Sequence, residues 1–255
     1  MKIITHKTAA LAFTGICALA FIAWRARIGN GETRPRDYDS ILADSSGSTT
    51  DLCGSVARLA AQAVASSEQG NSFDLTFYRT GDAASANEPV MVERFHLTPS
   101  LRALESRNAP AEQRKRVVEQ VEAQCRRLTP TEASPIFQGV RTVVQQMRAE
   151  GCGKGGLNCR LFIQSDLQEL AEPGIRDAIN SATAKKRTLP SPIDNAGVTI
   201  KICGYAQTTG SAPNASGGTR RLTNARDARL NDRLREVWHG LFTHPELIEL
   251  APFCQ

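Results

Sequence analysis

Residues 41–49 read ILADSSGST: three apolar residues, then Asp44, then hydroxyls at Ser46 and Ser48 on either side of Gly47. The apolar triplet has the character of a buried strand end. Val56, Leu59, Ala60, Ala63 and Val64 follow at the i, i+3, i+4, i+7, i+8 spacing of one helix face. An acid and hydroxyls at alternate positions therefore stand where a strand gives way to a helix. In a doubly wound sheet that is where ligands bind, beyond the carboxyl ends of strands at the point where strand order reverses.

The same alternation continues along the chain. Phe73, Leu75 and Phe77 alternate, as does much of Val90–Leu97, and the two read as an antiparallel pair at a sheet edge. Val117, Val121, Cys125 and Leu128 mark a helix face, and Ile136, Phe137, Val140, Val143, Val144 and Met147 mark the clearest one. Leu161-Phe162-Ile163 is a buried strand, Ile175, Ala178, Ile179 and Ala182 suit a helix, and Val198–Tyr205 is a strand. Leu230, Leu234, Val237, Trp238 and Leu241 form a last helix face, with Leu247–Leu250 the only candidate for a sixth strand. Such alternation predicts an α/β fold: a doubly wound, mainly parallel sheet with helices on both faces. There is no internal repeat, and residues 38–255 read as one domain.

Two further segments repeat the opening pattern. Asp166 ends the apolar strand 161–165, and Ser134 precedes the strongest helix, with Pro135 expected at its first helical position. Taken singly, each is an ordinary loop or N-cap residue. Taken together, Asp44, Ser46, Ser48, Ser134 and Asp166 are an all-oxygen donor set without His or Cys, which suits a hard divalent cation, Mg²⁺ or Mn²⁺.

Composition removes other classes. Of 255 residues 41% are hydrophobic and the net charge is only +5, so the chain is neither disordered nor a polycation. Cationic and acidic side chains are spread along its length with no basic face, so no nucleic-acid partner is expected. Residues 8–24 are an uncharged run of 17 after Lys2 and Lys7. Such a run is an export signal or a single membrane anchor. It continues through Phe21, Ile22 and Trp24 past the small-residue site Ala18-Leu19-Ala20, which favours an uncleaved anchor. Residues 25–37 read as a charged linker.

Cysteine usage bears on the compartment. Apart from Cys17 there are six, Cys53, Cys125, Cys152, Cys159, Cys203 and Cys254, and no C-x2-C spacing that would suit zinc. An even number permits three disulfides in an exported domain. Arg25, Arg27, Arg34 and Arg36 argue the other way by the positive-inside rule. The expectation is a domain tethered outside the cytoplasm. GCGKGG at 151–156 precedes a strand instead of following one and lacks the hydroxyl after its lysine, so it reads as a turn, not a phosphate loop.

Asp44-x-Ser46-x-Ser48 after an apolar strand resembles the D-x-S-x-S signature of von Willebrand factor type A domains. The segment from Ser134 to Val140 resembles the helix start that brings their threonine, and Leu161–Asp166 resembles the strand that carries their last aspartate. The resemblance covers residues 38–245. It departs in having Ser134 for the threonine and Leu167 for the usual glycine after the aspartate, with Glu169 as an added nearby charge. It implies a metal-ion-dependent adhesion site. Ser46 and Ser48 would ligate directly, Ser134 directly or through water, and Asp44 and Asp166 mostly through water. A partner's Asp or Glu carboxylate would complete the ion's coordination, so the implied function is binding in envelope assembly or adhesion, not catalysis. A scaffold with a degenerate site, or a metal-dependent phosphoester hydrolase, are the alternatives. The same fold would bring Cys53 near Cys125 beside the metal loops, leaving Cys152 with Cys159 and Cys203 with Cys254.

Overall fold

The structure, a computed structural model, describes residues 36–46, 51–66, 72–82, 85–97, 109–131, 134–167, 172–180, 189–205, 225–251 and 254. The apolar run at 8–24, Ser48 and Glu169 lie outside these. Among the described residues no helix is long and apolar enough to cross a membrane.

The chain runs β1 (Arg36–Ala43), α1 (Leu52–Ser66), β2 (Ser72–Arg79), β3 (Val90–Leu97), α2 (Ala109–Cys125), α3 (Ile136–Ala149), β4 (Leu157–Gln164), α4 (Pro173–Asn180), β5 (Thr199–Cys203), α5 (Ala225–His239) and β6 (Ile248–Ala251). The six strands lie in the order β3-β2-β1-β4-β5-β6. All neighbours are parallel except β2 and β3, so the one antiparallel strand is at an edge, as the alternation at 90–97 suggested. From β1 the chain winds outward to β3, then returns to β4 and winds outward the other way. The reversal therefore falls between β1 and β4, and both strands end at the candidate acids.

Each face of the sheet has its own core. Leu42, Leu161, Ile163 and Ile200 pack under α3, α4 and α5, with Trp238 and Met147 among the fully buried side chains. Ile41, Phe73, Phe77 and Phe162 pack under α1 and α2. Gly139 lets α3 approach β1, because a Cβ there would meet the Leu42 side chain at 3.3 Å. Three disulfides brace the layers: Cys53–Cys125 joins α1 to the end of α2, Cys152–Cys159 closes the glycine-rich turn, and Cys203–Cys254 pins the C-terminal segment to β5. Their Cα–Cα distances are 5.4, 5.9 and 5.0 Å.

Two boundaries differ from the sequence reading. β1 begins at Arg36, inside the expected linker, because its charges find partners across the sheet. Asp37 accepts a bond from Asn158 Nδ2 at 3.0 Å, and Asp39 accepts two from Arg160, Nε at 2.8 Å and Nη2 at 2.6 Å. Leu128 lies beyond the end of α2, in the turn that follows.

Asp39 is fully buried, and burial pushes its carboxyl up to about 7 against the pull of Arg160. The folded state therefore holds the proton more tightly than the unfolded chain. The stability this group contributes is complete below about pH 4, the ordinary Asp range, and is lost as pH rises through 7. Asp39→Asn removes the titration. Urea unfolding of the wild type should lose up to about 1.4 kcal/mol per pH unit across this window relative to the variant. Parallel pH profiles would contradict the assignment.

Candidate functional site

The parallel register sets the site. Ala43 pairs with Gln164, and one step further the Asp44 amide donates to the Gln164 carbonyl at 2.9 Å. Asp44 thereby comes to lie beside Ser165, just past the ends of both strands. Its carboxylate is fully buried and gathers three segments. Oδ1 accepts the Ser46 backbone amide at 3.0 Å, and Oδ2 accepts the hydroxyls of Ser134 at 2.9 Å and Ser165 at 3.0 Å. The Ser46 side chain bonds the carboxylate as well.

Burial raises the Asp44 carboxyl above the usual range, and the bonds from Ser46, Ser134 and Ser165 pull it back. Taking a carboxylate out of water costs several kcal/mol, and each hydrogen bond to a charged group returns roughly 1.5–3 kcal/mol. The bonds thus offset part of the burial cost, and each of the three segments contributes to that offset.

The neighbouring hydroxyls are spoken for. Ser45 is turned from the carboxylate: its Oγ lies 3.3 Å from both Thr80 Oγ1 and Thr131 Oγ1. A bridge between Ser46 and Thr131 fixes the strand exit against the loop before α3. That loop delivers Ser134, which does not cap the helix. Pro135 occupies the N-cap position, one residue earlier than expected, and carries no side-chain capping bond. The Ser134 hydroxyl goes instead to Asp44.

Asp166, fully buried, follows Ser165 at the same edge. Asp44, Ser46 and Ser134 are brought into one hydrogen-bonded group, and Asp166 is placed beside it in sequence and on the adjacent strand end. The strand order and this convergence put the oxygen cluster at the reversal point of a doubly wound sheet.

The fold is von Willebrand factor A-like.

No protein-family model matches the chain, and no curated protein matches it. Among solved structures it is similar to the manganese-loaded TRAP protein of Plasmodium vivax, at 11% identity over 86% of this chain and 69% of that one, with a TM-score of 0.44. An aerotolerance-related membrane protein from Bacteroides fragilis is 11% identical over 86% of this chain and 90% of that one, with a TM-score of 0.37. BatB from Bacteroides thetaiotaomicron is 9% identical over the same shares, with a TM-score of 0.41. The fold itself is read from the chain's own six-stranded, mainly parallel sheet and its strand order.

The donor set fits a hard cation. Ser46 and Ser134 are neutral oxygens, 8% and 1% exposed, and Ser134 commits its proton to Asp44, which leaves its lone pairs for an ion. Among the described residues no three His, Cys, Asp or Glu side chains group together, so a metal here would depend on hydroxyls. Ser165 is the residue the sequence reading missed. The sequence shows only a hydroxyl at the end of an apolar strand; its place beside Asp44 comes from the β1–β4 register.

Leu167 also departs from the sequence pattern. It adopts φ +59° while fully buried, a left-handed conformation that costs a non-glycine residue roughly 1–2 kcal/mol. Its amide donates to Ser165 Oγ at 2.8 Å. Ser165→Ala removes the donor to Asp44 and the acceptor for Leu167 together. Urea unfolding in EDTA should show a loss of about 1–3 kcal/mol, and unchanged stability would contradict the network.

Proposed function

We propose that this is a membrane-tethered protein-binding domain that holds Mg²⁺ or Mn²⁺ at Asp44, Ser46, Ser48, Ser134 and Asp166 and uses it to engage an Asp or Glu carboxylate of a partner. The observation that carries the reading is the Ser134–Asp44 bond. A hydroxyl from a loop 90 residues away donates its hydrogen bond to a buried carboxylate instead of capping its own helix. The carboxylates orient the hydroxyls and supply charge, and the neutral oxygens nearest the ion leave it electrophilic. When bound, the metal supplies a Lewis-acidic position for an external carboxylate. The chain's own residues build the rim and hold the hydroxyls in place.

The scaffold reading has its own support, since the Asp44 carboxylate is already bonded from three segments without an ion. Calorimetry on the full-length protein in detergent separates the two. The wild type should bind Mn²⁺, and Asp44→Ala should abolish binding while Asp44→Asn, which keeps acceptor oxygen but loses charge, weakens it. Equal binding by wild type and Asp44→Ala would contradict the site, and no binding by the wild type would leave the scaffold. Release of phosphate from a generic phosphoester by the wild type would favour a hydrolase instead.

The apolar run at residues 8–24 supports the tether, and the three disulfides, a bond type that persists in an oxidising compartment, support a domain outside the cytoplasm. Envelope assembly or adhesion is the role such a placement suits. A C-terminal alkaline phosphatase fusion should be active. A dark phosphatase fusion beside a glowing green fluorescent fusion would put the domain in the cytoplasm.

A further inference from the structure

The turn that carries Asp166 is held at both of its neighbours. Ser165 Oγ donates to Asp44 Oδ2 and accepts the Leu167 amide. The Leu167 carbonyl accepts the indole N–H of Trp238 at 3.3 Å. Trp238 lies on α5, and its side chain and that of Leu167 are fully buried in the same core. A continuous line of hydrogen bonds therefore runs from α5 through Leu167 and Ser165 to Asp44, with Asp166 between its two middle members.

We propose that Trp238 is a positioning residue for the site, fixing from α5 the turn that presents Asp166; this rests on reading the oxygen cluster as a metal centre. A non-glycine residue persists at positive φ only where its surroundings over-determine it. Leu167 has three such holds: its side chain in the core, its amide on Ser165 and its carbonyl on Trp238. Glycine would take the same φ without strain, but with far more conformations open to it. Leucine gives the turn one geometry, provided something holds it there. Indole N–H is a donor only, and here it is spent on this carbonyl. The Leu167 departure and Trp238 are two halves of one device that trades backbone strain for a fixed Asp166.

The test uses full-length protein in detergent with Trp238→Phe, which keeps an aromatic ring and loses the donor, and Leu167→Gly, which loosens the turn from its other side. Two signals are read: amide exchange of the peptide containing Leu167, and the spectrum and affinity of bound Mn²⁺ by electron paramagnetic resonance. Trp238→Phe should speed Leu167 exchange and weaken Mn²⁺ binding, each by about tenfold, the upper worth of one neutral hydrogen bond. The double variant should be no weaker than the sum of independent losses and should fall short of it, because both changes release the same turn. Faster exchange with unaltered Mn²⁺ affinity and spectrum overturns the positioning role, and unchanged exchange overturns the clamp itself. A wild type that binds no Mn²⁺ overturns the metal reading, and exchange at Leu167 alone then decides whether Trp238 fixes the turn. Should Trp238→Phe not fold, Leu167→Gly is read in its place against the same two outcomes.

Discussion

The buried carboxylate of Asp44 is the constraint on which the rest of the site depends. A fully buried anion is tolerable only if its oxygens are bonded, and the donors that bond it come from three separate segments. Ser46 supplies the exit of β1, Ser134 the loop before α3, and Ser165 the end of β4. Satisfying one side chain thus fixes where the first strand stops, how the third helix begins and how β4 is registered. Ser134 both meets this demand and stands in the proposed ligand set. The folding requirement and the proposed binding chemistry therefore share the Asp44 carboxylate and the Ser134 hydroxyl.

The surrounding architecture limits how far that set can move. Cys53–Cys125 ties the helix after Asp44 to the end of α2, ahead of the loop that brings Ser134. Closing a loop with a sequence separation of 72 removes, in the chain-entropy account, about 4 kcal/mol of unfolded-state freedom. Cys203–Cys254 fixes the end of β5, whose Cys203 carbonyl accepts the Ser165 amide at 3.0 Å. Two of the three disulfides thus stand within a residue or a short segment of the loops that converge on Asp44.

How much of this was legible in the sequence depended on whether the cause was local. The triplet Ile41–Ala43, the helix faces of α1 and α3, and the acid at 166 follow from short-range apolar periodicity, and they were sufficient for the doubly wound sheet. The start of β1 was not legible, because Arg36 and Asp37 look like linker residues until Asn158 arrives beside Asp37 from a strand 121 positions away. Ser165 required the β1–β4 register, which no local pattern contains. Ser134 was identified by its place before a helix, the position of a cap, yet its hydroxyl serves Asp44. Leu167 stood out as a departure from a glycine pattern, but its reason, a tryptophan on α5, lies 71 residues on. Ser48 and Glu169 lie outside the described residues, so the geometry of the group rests on Asp44, Ser46, Ser134 and Ser165.

The central claim is that the loops held together by Asp44 form a cation site. The most direct measurement is anomalous diffraction at the manganese edge from crystals of the protein grown with Mn²⁺. The account predicts an anomalous peak at the edge formed by β1 and β4, within ligand distance of the Ser46 and Ser134 hydroxyl oxygens, and no such peak in crystals of Asp44→Ala. Well-ordered density for these loops in Mn²⁺-grown wild-type crystals, with no anomalous peak beside Ser46 and Ser134, would contradict it.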